Sequence, residues 1–282
     1  MIASPFLRRF FLTLVLSSAA SVAFAQDKPA ATDFQPEVGQ SGKDVVWVPT
    51  PQSLVDKMLD IAKVTPADYV IDLGSGDGRT VITAAKRGAR AMGIEYNPEM
   101  VTLSQRNAAQ EGVTDRATFI KADLFESDFS KATVITMFLL PDINLKLRPK
   151  ILNLKPGTRI VSNSFTMGEW EHDRSVHSTE KEGCQSYCTA YLWIVPAKVG
   201  GSWKLPEGEL TIKQSFQMIT GTLKAGGKST AIKGRMSGDH ISFKAGGVEY
   251  RGRVGAAGIK GTVNSRSGTG EWSATRSGRA AS

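Results

Sequence analysis

Tyr69-Val70-Ile71-Asp72-Leu73-Gly74-Ser75-Gly76-Asp77-Gly78-Arg79 decides how the rest of the chain reads. A short apolar run reads as a strand, the glycines that stop it tolerate backbone conformations closed to other residues, and 80–86 continues as a helix. Strand, glycine loop and helix open an α/β sheet, in which ligands bind beyond the carboxyl ends of the strands. A dinucleotide fingerprint would be spaced G-x-G-x-x-G, with backbone amides facing a pyrophosphate. Here the spacing is G-x-G-x-G, and Asp72 and Asp77 flank it. Carboxylates repel phosphate and suit a cationic ligand.

On either side the helical and strand periods alternate. Thr50 is placed to cap a helix over 51–63, with Pro51 at its first position. Strands are expected at 90–96, 117–122, 133–140 and 159–165, and helices from Asn97 to about residue 110 and at 144–152. An antiparallel pair, 175–178 with 191–195, closes a mostly parallel sheet with helices on both faces. Glu95 ends the second strand, where a carboxylate can accept both hydroxyls of a ribose, and Tyr96 and Asn97 follow it. Asp123-Leu124-Phe125 follows the third strand and can accept from an adenine amino group and cover the ring. With Thr50, Asp72, Gly74, Ser75, Gly76, Asp77 and Gly78, these residues form a candidate site for S-adenosylmethionine, which carries an ammonium and a sulfonium.

Longer blocks carry a resemblance. The stretch 70–79 resembles motif I of class I S-adenosylmethionine-dependent methyltransferases. Val48-Pro49-Thr50-Pro51, Gly93-Ile94-Glu95-Tyr96-Asn97-Pro98, Asp123-Leu124-Phe125, Phe138-Leu139-Leu140-Pro141 with Asn144, Leu147-Arg148-Pro149, Leu154-Lys155-Pro156-Gly157 and Met167-Gly168-Glu169-Trp170 resemble, in that order, the lysine methyltransferase family that includes the ATP synthase c-subunit enzyme and its bacterial relatives. The resemblance covers residues 45 to 196. It implies a Rossmann-like class I methyltransferase fold and, for the mitochondrial members, methylation of lysine in a membrane-embedded protein. Phe138 stands where the family leads one to expect Tyr, and Ser162-Asn163-Ser164-Phe165 where a more acidic stretch is expected. Both departures lie on the acceptor side.

Methyl transfer is an in-line displacement at a carbon already activated by positive sulfur, so the protein mainly supplies orientation and desolvation, without nucleophile or metal. A lysine acceptor, with reference pKa ~10.4, must first lose its proton, to a carboxylate or by desolvation. Phe138, Asn144, Glu169 and Trp170 are the candidates to line the acceptor channel, and Glu169 is the acid among them. The implied partner is a protein substrate. The alternatives are a cofactor sensor on an envelope-binding module, or methylation of a small amine or of RNA.

Residues 1–25 read as a secretory signal peptide: Arg8 and Arg9 precede an apolar run, and Ala23-Phe24-Ala25 offers a cleavage site. The arginine pair also resembles a twin-arginine signal, so the expected location is the periplasm, with an uncleaved membrane anchor as the alternative. Residues 26–44 read as a flexible lead-in to a methyltransferase domain at 45–199. Only Cys184 and Cys188 are present; a bridge between residues four apart requires a turn or helical kink.

The charge places a second domain. Residues 1–199 hold 22 basic and 22 acidic residues, so the net +8 of the chain sits in 200–282, where basic residues number 13 and acidic 5. Arg8 and Arg9 belong to the signal, which leaves 26–199 at −2, as suits a cationic cofactor. From 210 to 276 short β runs alternate with glycine turns, giving a small antiparallel all-β C-terminal domain. Lys233, Arg235, Arg251, Arg253 and Lys260 fall on the face opposite the apolar residues, where they could meet an anionic envelope surface. Interleaved aromatics are sparse, which argues against nucleic acid.

Overall fold

The strand Tyr69–Leu73 (β1) lies at the centre of a seven-stranded sheet, parallel to Arg90–Glu95 (β2) on one side and to Val134–Met137 (β4) on the other. The computed structural model describes residues 1–2, 34–266 and 268–277; the stretch read as a signal peptide, apart from residues 1 and 2, and the first part of the lead-in lie outside them. Ala117–Lys121 (β3) extends the sheet beyond β2, and Arg159–Asn163 (β5) beyond β4, both parallel. The last two strands turn back: Thr189–Ile194 (β7) runs antiparallel between β5 and Arg174–His177 (β6). The order is β3-β2-β1-β4-β5-β7-β6.

Alternate side chains of β1 enter different cores, as the period of two requires. Val70 packs with Leu54, Val81 and Ala108 from helices Gln52–Ile61 (α1), Arg79–Lys86 (α2) and Pro98–Gln110 (α3). Ile71 and Leu73 pack with Ile143, Leu147 and Trp193 on the other face, beneath Pro141–Ile151 (α4). The apolar run expected to be strand over 133–140 stops at Met137, because Pro141 fixes the first turn of α4 and leaves Leu140 extended. That shift puts Asn144 inside the helix and not at its start. Thr50 does not cap α1; Pro51 takes that position, and the Thr50 hydroxyl accepts instead from Asn163 Nδ2 at 3.2 Å.

Residues 39–44 depart from the flexible lead-in. Gly39 N–H donates to Trp47 O at 2.8 Å, Trp47 N–H donates to Gln40 O at 2.9 Å, and Ser41 bridges Val46. The expected turn at the cysteines is present: a 3-10 helix, Glu180–Glu182, leads into a loop closed by a Cys184–Cys188 disulfide, with a Cα separation of 5.8 Å. No helix among the described residues is long and apolar enough to cross a membrane.

The C-terminal strands close a barrel: Gly201–Leu205 (β8), Gly208–Ser215 (β9), Met218–Ala225 (β10), Lys228–Ser237 (β11), His240–Ala245 (β12), Val248–Gly255 (β13), Gly258–Ser265 (β14) and Gly268–Arg276 (β15). Each pairs antiparallel with its successor, and β15 returns to β8, so no edge is left to pair with another chain. Ile219, Ile232, Met236, Phe243 and Trp272 fill the interior. The barrel docks through few contacts. Phe216 stacks on Trp170 with centroids 6.0 Å apart, Gln217 Nε2 donates to Glu171 O at 2.7 Å, Ala197 N–H donates to Gly238 O at 2.8 Å, and Arg235 pairs with Asp173.

Candidate active site

A cavity opens where the carboxyl ends of β1, β2 and β4 meet, at the crevice an α/β sheet leaves for a ligand. The glycine loop forms its floor. Gly74 and Gly76 have φ of 76° and 55°, and a Cβ on Gly76 would stand 2.7 Å from Trp47 Nε1, so only glycine fits between loop and indole.

Asp72 is the buried acid of the cavity. Its Oδ1 accepts from the Thr136 hydroxyl at 2.6 Å, and burial pushes the carboxyl up to about 7 against that hydrogen bond, with Glu95 and Asp77 adding repulsion. Glu95 is held by backbone: Oε2 accepts from Gly76 N–H at 3.0 Å and Oε1 from Asn97 N–H at 2.9 Å. Two amides thus fix the carboxylate before any ligand arrives. Asn97 Oδ1 caps α3 through Glu99 N–H at 2.8 Å.

The other acids are already engaged. Asp77 Oδ2 lies 2.6 Å from Arg79 Nη2, and Arg79 Nη1 also donates to Thr50 O at 2.9 Å. Asp77, through Arg79, therefore fastens the glycine loop to the turn before α1. Asp123 accepts from Phe125 N–H at 2.8 Å and from Lys43 Nζ at 2.6 Å, and the Lys43 bond, helped by Phe125, holds its carboxyl below the usual range. Lys43 stands over the rings of Tyr96 and Phe125, 5.1 and 5.9 Å from their centroids.

Of the predicted cofactor residues, Thr50, Asp72, Gly74, Ser75, Gly76, Asp77, Glu95, Tyr96, Asn97, Asp123 and Leu124 line this cavity. Gly78 does not: a Cβ there would stand 2.8 Å from Phe119, so its lack of a side chain serves the packing of α2 against the sheet. Phe125 stands outside the lining and meets the cavity through Lys43. Trp47 and Lys43 also line the cavity; Lys43 was hidden in the stretch 26–44, whose composition reads as linker, and Trp47 in the domain's first residues, outside the predicted site.

The acceptor candidates divide. Phe138 lines the cavity. Asn144 is buried; its amide donates to Thr166 O at 3.2 Å and Phe165 O at 3.4 Å, so it ties down the loop after β5 and lines no channel. Glu169 is 82% exposed at the side chain and paired with Arg148 at 2.8 Å, an interaction that holds its carboxyl below the usual range. Trp170 is fully buried between Trp193 and Phe216. Glu169 and Trp170 therefore belong to the docking of the barrel: the Arg148 guanidinium that holds Glu169 also lies over Phe216, 5.3 Å from its centroid.

The cavity fits S-adenosylmethionine by its chemistry: a buried carboxyl without a cationic partner, a second carboxylate preset by amides, and a loop with no side chain between backbone and ligand. The profile of the ANTKMT methyltransferase domain matches residues 72–174. A protein from Saccharolobus islandicus named protein-lysine N-methyltransferase is 46% identical over 154 residues, 54% of this chain and 94% of that protein. The human lysine N-methyltransferase of the ATP synthase c-subunit is 38% identical over 37% of this chain and 45% of its own length, so the match spans about half of that relative. The crystal structure of a protein from Salinibacter ruber, named RNA methyltransferase and in complex with S-adenosyl-L-homocysteine, superposes with TM-score 0.50 at 47% identity, over 54% of this chain and 96% of that one. The chain belongs to the same family of S-adenosylmethionine-dependent methyltransferases as the Saccharolobus and Salinibacter proteins.

Proposed function

We propose that this methyltransferase methylates the side-chain amine of lysine in a protein substrate. The observation that carries the reading is the Saccharolobus islandicus relative named for that activity, aligned over almost its whole length. Asp72 would hold the cofactor's ammonium, Glu95 its ribose hydroxyls and Asp123 its adenine amine, with Leu124 and Tyr96 against the rings. When bound, the cofactor supplies an electrophilic methyl group on a positive sulfur. The chain orients the acceptor amine and strips it of water. Because Glu169 is drawn off by Arg148 at the surface, the amine reaches its neutral form through desolvation beside Phe138 and not through that acid.

Purified protein incubated with methyl-labelled cofactor and whole-cell extract tests the reading. Label is expected in protein, at lysine by mass spectrometry. Label confined to nucleic acid would transfer the reading to RNA, the substrate class for which the Salinibacter protein is named. We also propose that the enzyme is exported, on the signal-like N-terminus and on the Cys184–Cys188 bridge, a bond that persists in oxidising compartments. N-terminal sequencing of the mature protein should then begin near Gln26. The outer face of the barrel, through Lys233, Arg235, Arg251, Arg253 and Lys260, is proposed to meet an anionic envelope surface.

A further inference from the structure

Three aromatic rings stand together at the carboxyl edge of the sheet. Phe138 follows β4, Phe165 follows β5, and Tyr187 precedes β7, whose antiparallel register sets Ala190 opposite Asn163. Chain reversal at β7 thus brings Tyr187 to the edge where β4 and β5 end. The centroid of Phe138 lies 6.0 Å from Phe165 and 5.2 Å from Tyr187, and those two are 6.0 Å apart. Phe138 lines the cavity, Phe165 is half-buried, and Tyr187 is 44% exposed, so the cluster runs from the cofactor cavity to solvent.

The backbone beneath two of the rings is unusual. Tyr187 itself, and Ser164 just before Phe165, have φ of 55° and 56°, left-handed conformations that side-chain-bearing residues rarely adopt and that surrounding structure must impose. For Phe165 the support is Asn144, whose amide reaches the carbonyls of Phe165 and Thr166. For Tyr187 it is the Cys184–Cys188 disulfide, which closes the loop at a sequence separation of 4. The Tyr187 ring is held partly exposed over the two others, in a loop that the disulfide closes.

We propose that Tyr187, with Phe138 and Phe165, forms the acceptor-recognition mouth of the site, and that the disulfide presents Tyr187 to the incoming lysine side chain. The proposal rests on the lysine reading and names the residues that would recognise the lysine. Aromatic faces accommodate the alkyl stem of lysine and attract its methylated, cationic head. Tyr187 supplies this from a loop distant in sequence, at a mouth where Phe138 replaces the expected Tyr.

The test titrates N-acetyl-Nε-trimethyllysine methylamide into full-length protein saturated with S-adenosylhomocysteine, by calorimetry. Wild type is expected to bind it at least about tenfold more tightly than Tyr187→Ala does, and Tyr187→Phe to stay within about twofold of wild type. The double variant Cys184→Ser/Cys188→Ser should weaken the probe severalfold, with S-adenosylhomocysteine affinity unchanged in every variant. A neutral isostere with carbon in place of nitrogen should bind more weakly than the cation. The proposal is overturned if wild type loaded with S-adenosylhomocysteine ignores the probe, if Tyr187→Ala binds like wild type, or if the isostere binds equally. Failure of wild type to bind S-adenosylhomocysteine at all strikes the cofactor site instead, and the mouth with it.

Discussion

Asp72→Asn separates what the site does for binding from what it costs the fold. The asparagine keeps the shape and an oxygen to accept from Thr136, and removes the charge. Burial raises the Asp72 carboxyl from 3.8 to about 7, so the folded protein holds a proton that the unfolded chain has released. A raised carboxyl therefore destabilises the empty protein as pH climbs from about 4 to about 7, with a ceiling of about 4 kcal/mol above that window. Asp72→Asn escapes this cost, so its melting temperature without ligand should exceed that of wild type by up to about 10 °C at pH 8 and by little at pH 4. Binding moves the other way: the variant should lose S-adenosylmethionine. In wild type a bound cation must displace the proton, so affinity should fall about 50-fold between pH 7 and pH 5, with nearly one proton released per cofactor at pH 6. Calorimetry in two buffers of different ionisation enthalpy measures that proton. Affinity that stays flat from pH 7 to pH 5, or a variant no more stable than wild type at pH 8, would refute the reasoning.

Other expectations follow from single contacts. Lys43→Met frees the Asp123 oxygen that Lys43 Nζ now occupies at 2.6 Å, so cofactor binding should tighten about two- to fivefold; a loss above tenfold would show that Lys43 is part of the binding wall. Gly78→Ala forces a Cβ to 2.8 Å from Phe119 on a backbone at φ 84°, and should cost about 2–4 kcal/mol by denaturant unfolding. Trp170→Ala empties a buried site beneath Phe216 and should cost about 3–5 kcal/mol, yet leave the acceptor KM unchanged in folded protein; a large KM effect would return Trp170 to the channel.

The sheet, its glycine loop and the acids at its strand ends were legible because each depends on residues close in sequence. β1 and its loop lie within Tyr69–Arg79, and Glu95 and Asp123 end or follow strands that period alone locates. The misreadings share the opposite property. Glu169 and Trp170 look like channel residues until Phe216 arrives from the barrel to cover one and to share Arg148 with the other. Lys43 reads as linker because its partner, Asp123, is 80 residues away. Tyr187 carries no signal in its own neighbourhood, since only the antiparallel return of β7 sets it beside Phe138 and Phe165.

That return also fixes what the barrel can contribute. Gly157 and Asp173, which meet the barrel near Gly238 and at Arg235, precede β5 and β6 at their amino ends. The cofactor cavity and Tyr187 lie at the opposite edge, separated by the length of β5, five residues or about 17 Å. The barrel therefore stands away from the acceptor mouth and does not shape it. On its outer face the arginines are partly spent: Arg235 on Asp173, Arg251 on Glu249 at 2.9 Å and Arg253 on Asp239 at 2.7 Å. On the face formed by β11 to β14 the attraction left for an anionic surface rests on exposed Lys233, Lys244 and Lys260, and contacts of that kind weaken steeply with salt. Wild type should sediment with anionic phospholipid vesicles at low ionic strength, and Lys233→Glu/Lys244→Glu/Lys260→Glu should not, with cofactor affinity equal in both. Arg235 stays untouched in that variant because its loss would loosen the docking. Vesicle binding that survives the triple reversal, or cofactor affinity that falls with it, would break the separation between the barrel and an opposite edge that reacts.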